Sequence, residues 1–110
     1  ETMLRKIECY ISRDSKEHML KILSRHHLDG MTAWEVTGFK NLDAGSGITP
    51  ETEDRLKMEI VVDEGVVEDL LRDLKLGFNT GTGGEGKIFV IPVEDASRLS
   101  TRETGRSAVS

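Results

Sequence analysis

The sequence predicts an α+β domain of the ferredoxin-like kind, in which an antiparallel sheet carries two helices on one face. Three observations carry that expectation. Four short segments read as strands, two longer ones each carry one apolar helical stripe, and they alternate as β-α-β-β-α-β with a long polar connection in the middle. At 110 residues the chain has room for one compact domain, residues 1 to 110, and a second is not expected.

Residues 3 to 12 place Leu4, Ile7, Cys9 and Ile11 among charged neighbours, mostly in alternation, as a strand with one buried face does. Asp14 or Ser15 can cap a helix whose apolar positions Met19, Leu20, Ile22, Leu23 and Leu28 keep a helical period up to Gly30, a natural stop. Residues 31 to 39 read as a second strand. Residues 40 to 54 have almost no apolar periodicity and contain Asn41, Asp43, Gly45, Gly47 and Pro50, so they read as a loop of about fifteen residues, long enough to carry function.

Residues 55 to 62 return to strict alternation through Leu56, Met58, Ile60 and Val62. Asp63 then caps a helix with Val66, Val67, Leu70, Leu71 and Leu74 on a single stripe. A glycine-rich segment leads into Ile88-Phe89-Val90-Ile91-Pro92-Val93, a short apolar run suited to a buried strand. The polar tail beyond is expected to be disordered, or ordered only by a partner or ligand.

Composition narrows the function classes. The charged fraction of 32% and the absence of an apolar run near the roughly 20 residues of a membrane span describe a globular chain that is not membrane-embedded. No secretory segment is read ahead of the first strand, so the expected setting is cytoplasmic. A net charge of −5 argues against nonspecific nucleic-acid binding, which draws on neutralised phosphates. Any anionic ligand must be held by a local cluster of donors. The lone Cys9 reads as a small buried hydrophobe rather than a redox sensor.

The segment from 81 to 87 sets four glycines and Lys87 directly before a strand. Glycines let backbone N–H groups approach an anion, and a lysine reaches phosphate; a flexible turn fits the composition equally well. The spacing is not that of a Walker loop. His18, His26 and His27 lack the companions of a metal shell and read as a solvated helix face. No catalytic serine, cysteine or carboxylate pair stands out, so no enzyme, metal or cofactor is expected. Trp34, mid-strand, reads as core or subunit interface.

Four blocks in order, Gly30-Met31-Thr32 with Glu35-Val36-Thr37-Gly38-Phe39, Lys57-Met58-Glu59-Ile60-Val61-Val62, Thr80-Gly81-Thr82-Gly83-Gly84-Glu85-Gly86-Lys87-Ile88-Phe89-Val90, and Arg102-Glu103-Thr104-Gly105, resemble the PII nitrogen-signalling family. The resemblance covers about residues 3 to 107. It implies a homotrimer of ferredoxin-like subunits with an adenine-nucleotide site in each cleft between neighbours. It also implies a T-loop at about 40 to 54 that docks on a transporter or enzyme, a B-loop at about 79 to 87, and a C-terminal loop and tail at about 94 to 110. Carried over by position, Gly38, Ile60, Val61, Gly84, Glu85, Gly86 and Lys87 would line one side of the nucleotide, with Ile7 near the adenine. Gly30, Met31, Thr32, Glu59, Arg98 and Arg102 would come from the neighbouring subunit.

Departures from the family pattern shape the expected ligand. The T-loop is shorter by about seven residues and carries no tyrosine. Where the family has Gly-Arg-Gln after Gly38-Phe39, this chain has Lys40-Asn41-Leu42, which argues against 2-oxoglutarate sensing. Thr82 and Ser100 stand where the family has cations, which favours ADP or AMP over ATP. PII-like proteins with trimmed T-loops serve other inputs, including inorganic carbon in organisms with carboxysomes, and some accompany metal-efflux systems. The resemblance is taken towards the inorganic-carbon branch, with Lys40 and Asn41 as candidate anion-binding residues for bicarbonate. The alternatives are a nitrogen regulator responding to ATP and 2-oxoglutarate, or a ligand-free interaction scaffold.

Overall fold

A computed structural model describes residues 3–43, 45, 47, 49–79 and 86–109. Strand β1 (Leu4–Ser12) leads into helix α1 (Lys16–Leu23); β2 (Thr32–Lys40) and β3 (Glu51–Asp63) form a hairpin; helix α2 (Glu64–Gly77) and strand β4 (Lys87–Val93) follow. The strands lie in the order β2-β3-β1-β4, every neighbouring pair antiparallel. This is the predicted ferredoxin-like arrangement.

The alternation in β1 and β3 fixes which face is covered. Ile7, Cys9 and Ile11 of β1 and Leu56, Met58, Ile60 and Val62 of β3 are buried against Met19, Ile22 and Leu23 of α1 and Leu70 and Leu74 of α2. A one-residue slip in register would turn these side chains to the other face. On that open face Lys6, Glu8, Tyr10, Lys57, Glu59 and Trp34 meet instead. Lys6 Nζ lies 3.1 Å from Glu8 and 3.4 Å from Glu59, and the Lys57 ammonium stands 5.5 Å from the Trp34 ring centre. Trp34 is therefore not core within one chain, being 45% exposed.

Three boundaries differ from the sequence expectation. The first helix stops at Leu23 and not near Gly30: a 3-10 turn over Ser24–His26 follows, and His27 takes the left-handed region at φ 53°. Ser24 Oγ donates to Lys21 O, and His26 Nε2 reaches Asp73 Oδ2 of α2 at 2.7 Å, so polar contacts close the helix before its apolar period ends. His26 is thus a helix-to-helix contact and not a solvated residue. His18 Nε2 likewise donates to Gly77 O at 2.6 Å.

The expected loop of 40 to 54 is shorter, because β2 continues to Lys40 and β3 begins at Glu51, leaving 41–50 as the connection. Residues 51–54 pair with β2 but not with β1, so they form a two-stranded ribbon beyond the sheet. With neither face covered the ribbon has no apolar alternation for the sequence to display. The tail also differs from expectation: within this one chain Ser97 bridges Thr104, Arg98 N donates to Glu103 O at 3.0 Å, Gly105 N donates to Ala96 O at 2.7 Å, and a 3-10 turn spans Gly105–Ala108.

Asp63 caps α2 as expected, accepting from Gly65 N through Oδ2 at 3.3 Å.

Candidate functional site

Strand β2 carries the residues of interest at its two ends. At the loop end a cleft of about 550 Å3 opens on the uncovered face, lined by Tyr10, Gly38, Lys40, Glu53, Arg55, Lys87 and Phe89 among others. The cross-strand register builds it: Gly38 pairs with Glu53, Val36 with Arg55, and Tyr10 with Lys87. Tyr10 and Phe89 meet edge to face with ring centres 6.0 Å apart, which makes one wall aromatic.

The opposite wall is charged. Arg55 donates to Glu53 Oε2 through Nε at 2.8 Å and through a terminal nitrogen at 2.5 Å, while the Lys40 ammonium also pairs with Glu53. Hydrogen bonds from Lys40 and then Arg55 hold the Glu53 carboxyl below its ordinary range. Glu53 and Arg55 were not among the residues singled out in the sequence, because Glu53 fell inside the presumed loop. The available signal was position: Glu53, Arg55, Lys57 and Glu59 follow one another at every second residue.

Lys87, at the start of β4, also lines the cleft, and Gly86 precedes it at φ +75° with its backbone close to β1: a Cβ there would stand 3.3 Å from Tyr10 O. Glycine thus fits this position on two counts. Gly84 and Glu85, with the rest of 80–85, lie outside the described residues.

The other end of β2 gathers the second set. Gly30 and Met31 lie beside Ile60 in a cleft of about 230 Å3, and Gly30 shares another of about 150 Å3 with Val61, Arg106 and Val109. Thr32 pairs with Glu59, whose carboxylate also receives Lys57 at 3.3 Å. Arg98 reaches this end from the tail, with a guanidinium nitrogen 3.0 Å from Asp29 Oδ2 and Nε 3.8 Å from Glu103. Arg102 is exposed on the same tail.

Six residues of strand, about 20 Å, separate Thr32 from Gly38. The structure therefore brings Gly38, Lys40, Gly86 and Lys87 into one neighbourhood and Gly30, Met31, Thr32, Glu59 and Arg98 into another, but not the two together. Within one chain Ile60 and Val61 lie at the Gly30 end of β2, because β3 runs antiparallel to it. Ile7 and Ile60 are buried in the core, at 0% and 4% exposure. Asn41 follows Lys40 with φ 58° and turns the chain out of the strand. Among the described residues no group of three or more His, Cys, Asp or Glu is placed to hold a metal ion.

The chain is thus an antiparallel βαββαβ domain with one uncovered, charged and aromatic sheet face and a β2-β3 ribbon that extends beyond the sheet. Comparison with known proteins makes the class specific. Residues 4–103 match the family model "Nitrogen regulatory protein P-II". The nitrogen regulatory protein P-II of Synechocystis is 35% identical over 112 residues, covering 96% of this chain and all of that relative. Among solved structures, the B. subtilis GlnK–ATP complex superimposes with a TM-score of 0.86 at 27% identity, covering 97% of this chain and 96% of that one. Arabidopsis thaliana PII bound to citrate gives 0.79 at 31% identity, covering 98% and 94%. The chain belongs to the PII nitrogen regulatory protein family, whose members are signalling regulators and not enzymes.

Proposed function

We propose that this protein is a homotrimeric, cytoplasmic PII-type regulator that binds an adenine nucleotide between subunits and reports it to a partner protein through the 41–50 connection. The separation of the two residue sets along β2 is the observation that carries this reading. One set offers Lys87 and a glycine-bounded backbone, the other Arg98 and the small residues Gly30 and Thr32; about 20 Å apart in one chain, they close on a single ligand only when a second copy supplies the missing half. Gly84, Glu85, Gly86 and Lys87 would face the phosphates from one subunit, with Arg98 and Arg102 approaching from its neighbour. Ile7, Ile60 and Val61 would shape the floor of the site from beneath. The B. subtilis relative was solved with ATP. With Thr82 and Ser100 in place of cations, ADP or AMP is the preferred ligand here.

Lys40 and Asn41 are the proposed seat of a small co-effector such as bicarbonate, which would place the protein in the inorganic-carbon, carboxysome-associated branch. A nitrogen-regulatory role is the second reading, favoured by the 35% identity to a nitrogen regulatory protein over almost the whole chain. Size-exclusion with light scattering should show a trimer; a monomer at micromolar concentration overturns the intersubunit site. Calorimetric titration should show ADP or AMP binding at least as tightly as ATP, and Lys87→Ala should weaken it by about 1.5 to 3 kcal/mol. Repeating the titration with chloride, bicarbonate and 2-oxoglutarate at matched pH and ionic strength separates the branches, since coupling between two ligands is reciprocal. A shift with 2-oxoglutarate alone selects nitrogen signalling, and no nucleotide binding leaves an interaction scaffold.

A further inference from the structure

The loop-end cleft holds an anion of its own. Glu53 accepts two hydrogen bonds from Arg55, at 2.8 and 2.5 Å, and a further contact from Lys40. Both Arg55 N–H groups meet the one oxygen Oε2 and the Lys40 ammonium meets Oε1, so a guanidinium and an ammonium each cover one carboxylate oxygen, as they would on a ligand carboxylate. The cluster is partly withdrawn from solvent: Arg55 and Glu53 side chains are 18% and 26% exposed, and the cleft extends past them to Lys87, Tyr10 and Phe89. Gly38 makes room for it, because Arg55 lies across the strand where a side chain at 38 would stand.

We propose that Glu53 is the specificity-determining residue of this cleft, a resident carboxylate that occupies the anion seat between Lys40 and Arg55 and so keeps external small carboxylates out of it. Two of the three cations lining the cleft are thereby compensated, and among the described residues Lys87 is the one left to meet an incoming charge. The cleft consequently accepts an anion at its Lys87 end while rejecting one at its Lys40 end, so a resident Glu53 and a bicarbonate seated on Lys40 exclude each other, and the bicarbonate titration tells them apart. The inference rests on the reading of this cleft as a ligand site, and it does not require that the ligand be a nucleotide.

A purely structural role for the cluster would be to pin the base of the β2-β3 ribbon. Exposed ion pairs contribute little to stability, about 0 to 1 kcal/mol. That role would register in melting temperature and not in anion affinity. The two roles are therefore separable by what each variant binds.

The experiment uses the full chain and its Glu53→Gln variant, which keeps the side-chain shape while removing the charge, with malonate and citrate as probes in calorimetric titrations at constant ionic strength. Glu53→Gln should bind malonate about tenfold or more tightly than the unmodified protein. Adding Arg55→Gln to that variant should abolish the gain, and Glu53→Asp should restore exclusion. Equal malonate affinity in the unmodified protein and Glu53→Gln overturns the proposal, as does a gain that survives the loss of Arg55. If Glu53→Gln melts early, Glu53→Ala titrated below its melting temperature answers the same question. Failure of ADP to bind any of these proteins would remove the nucleotide reading and leave the malonate comparison decisive for Glu53.

Discussion

The Arg55 side chain lies over Gly38 on the neighbouring strand: a Cβ on residue 38 would stand 3.3 Å from Arg55 Cγ and 3.8 Å from its Nε. A missing side chain on β2 thus sets the course of a long one on β3. A larger residue at 38 must push Arg55 away from Glu53. Gly38→Val is expected to leave global stability within about 1 kcal/mol, the range of a partly exposed ion pair. Hydrogen exchange at amides 37 to 40 and 51 to 54 should speed up, because a two-stranded ribbon has little else to hold it. Unchanged protection there would show that the cluster does not anchor the ribbon.

Gly77, the last residue of α2, is a tighter constraint. A Cβ there would collide with Cδ1 of Ile22, which is buried at 1% exposure in α1. The collision falls on the tip of a side chain, but that tip is enclosed by the core. Gly77→Ala should therefore destabilise the domain by about 1 to 3 kcal/mol, as overpacking does. Chemical denaturation measures it; a neutral or stabilising result would mean that Ile22 repacks freely.

How much of this was legible in the sequence depends on burial. The core face of β1 and β3 could be read directly, because Ile7, Cys9 and Ile11 alternate with charged residues as Leu56, Met58, Ile60 and Val62 do. The strand character of 51–54 could not, since neither side of that ribbon is covered and Glu-Thr-Glu-Asp carries no apolar period. Missing the strand also hid Glu53, whose role depends on sharing a face with Arg55. The end of α1 was misplaced for a different reason: Leu28 prolongs the apolar period by packing on the core from outside the helix, while the His26–Asp73 contact that closes the turn links residues 47 positions apart. The division of the site between the ends of β2 followed from strand direction once the topology was known.

Glu53 also gives the protein an acid limb. Its carboxyl is held below the ordinary value of 4.5, first by the hydrogen bond from Lys40 and then by Arg55. A depressed carboxyl stabilises the fold above its unfolded-state value, and that contribution is lost as pH falls through the lower folded-state value. Melting curves of the unmodified protein and Glu53→Gln should accordingly diverge most above pH 4.5 and converge at lower pH. Parallel curves throughout would mean that Lys40 and Arg55 do not hold Glu53 in solution.

Cys9 supplies a last prediction, at the alkaline end. It sits on the helix-covered side of β1 at 2% exposure, paired across the sheet with Met58 and Ile88. Burial among these apolar neighbours pushes its thiol from the ordinary value of 9.0 up to about 11, because the thiolate would lose its hydration. The reactive species is the thiolate, so a thiol-reactive probe such as a maleimide at pH 8 should label the native protein slowly and the denatured chain at once. Labelling should then track opening of the sheet, and rise with denaturant as the global transition does. Since the folded-state value is raised, the neutral thiol's contribution to stability is fully present below 9.0 and is lost as pH rises towards 11. Cys9→Ala should remove that part of the alkaline dependence while creating only a small cavity. Rapid labelling of the native protein at pH 8 would show that β1 exposes its inner face far more often than this packing allows.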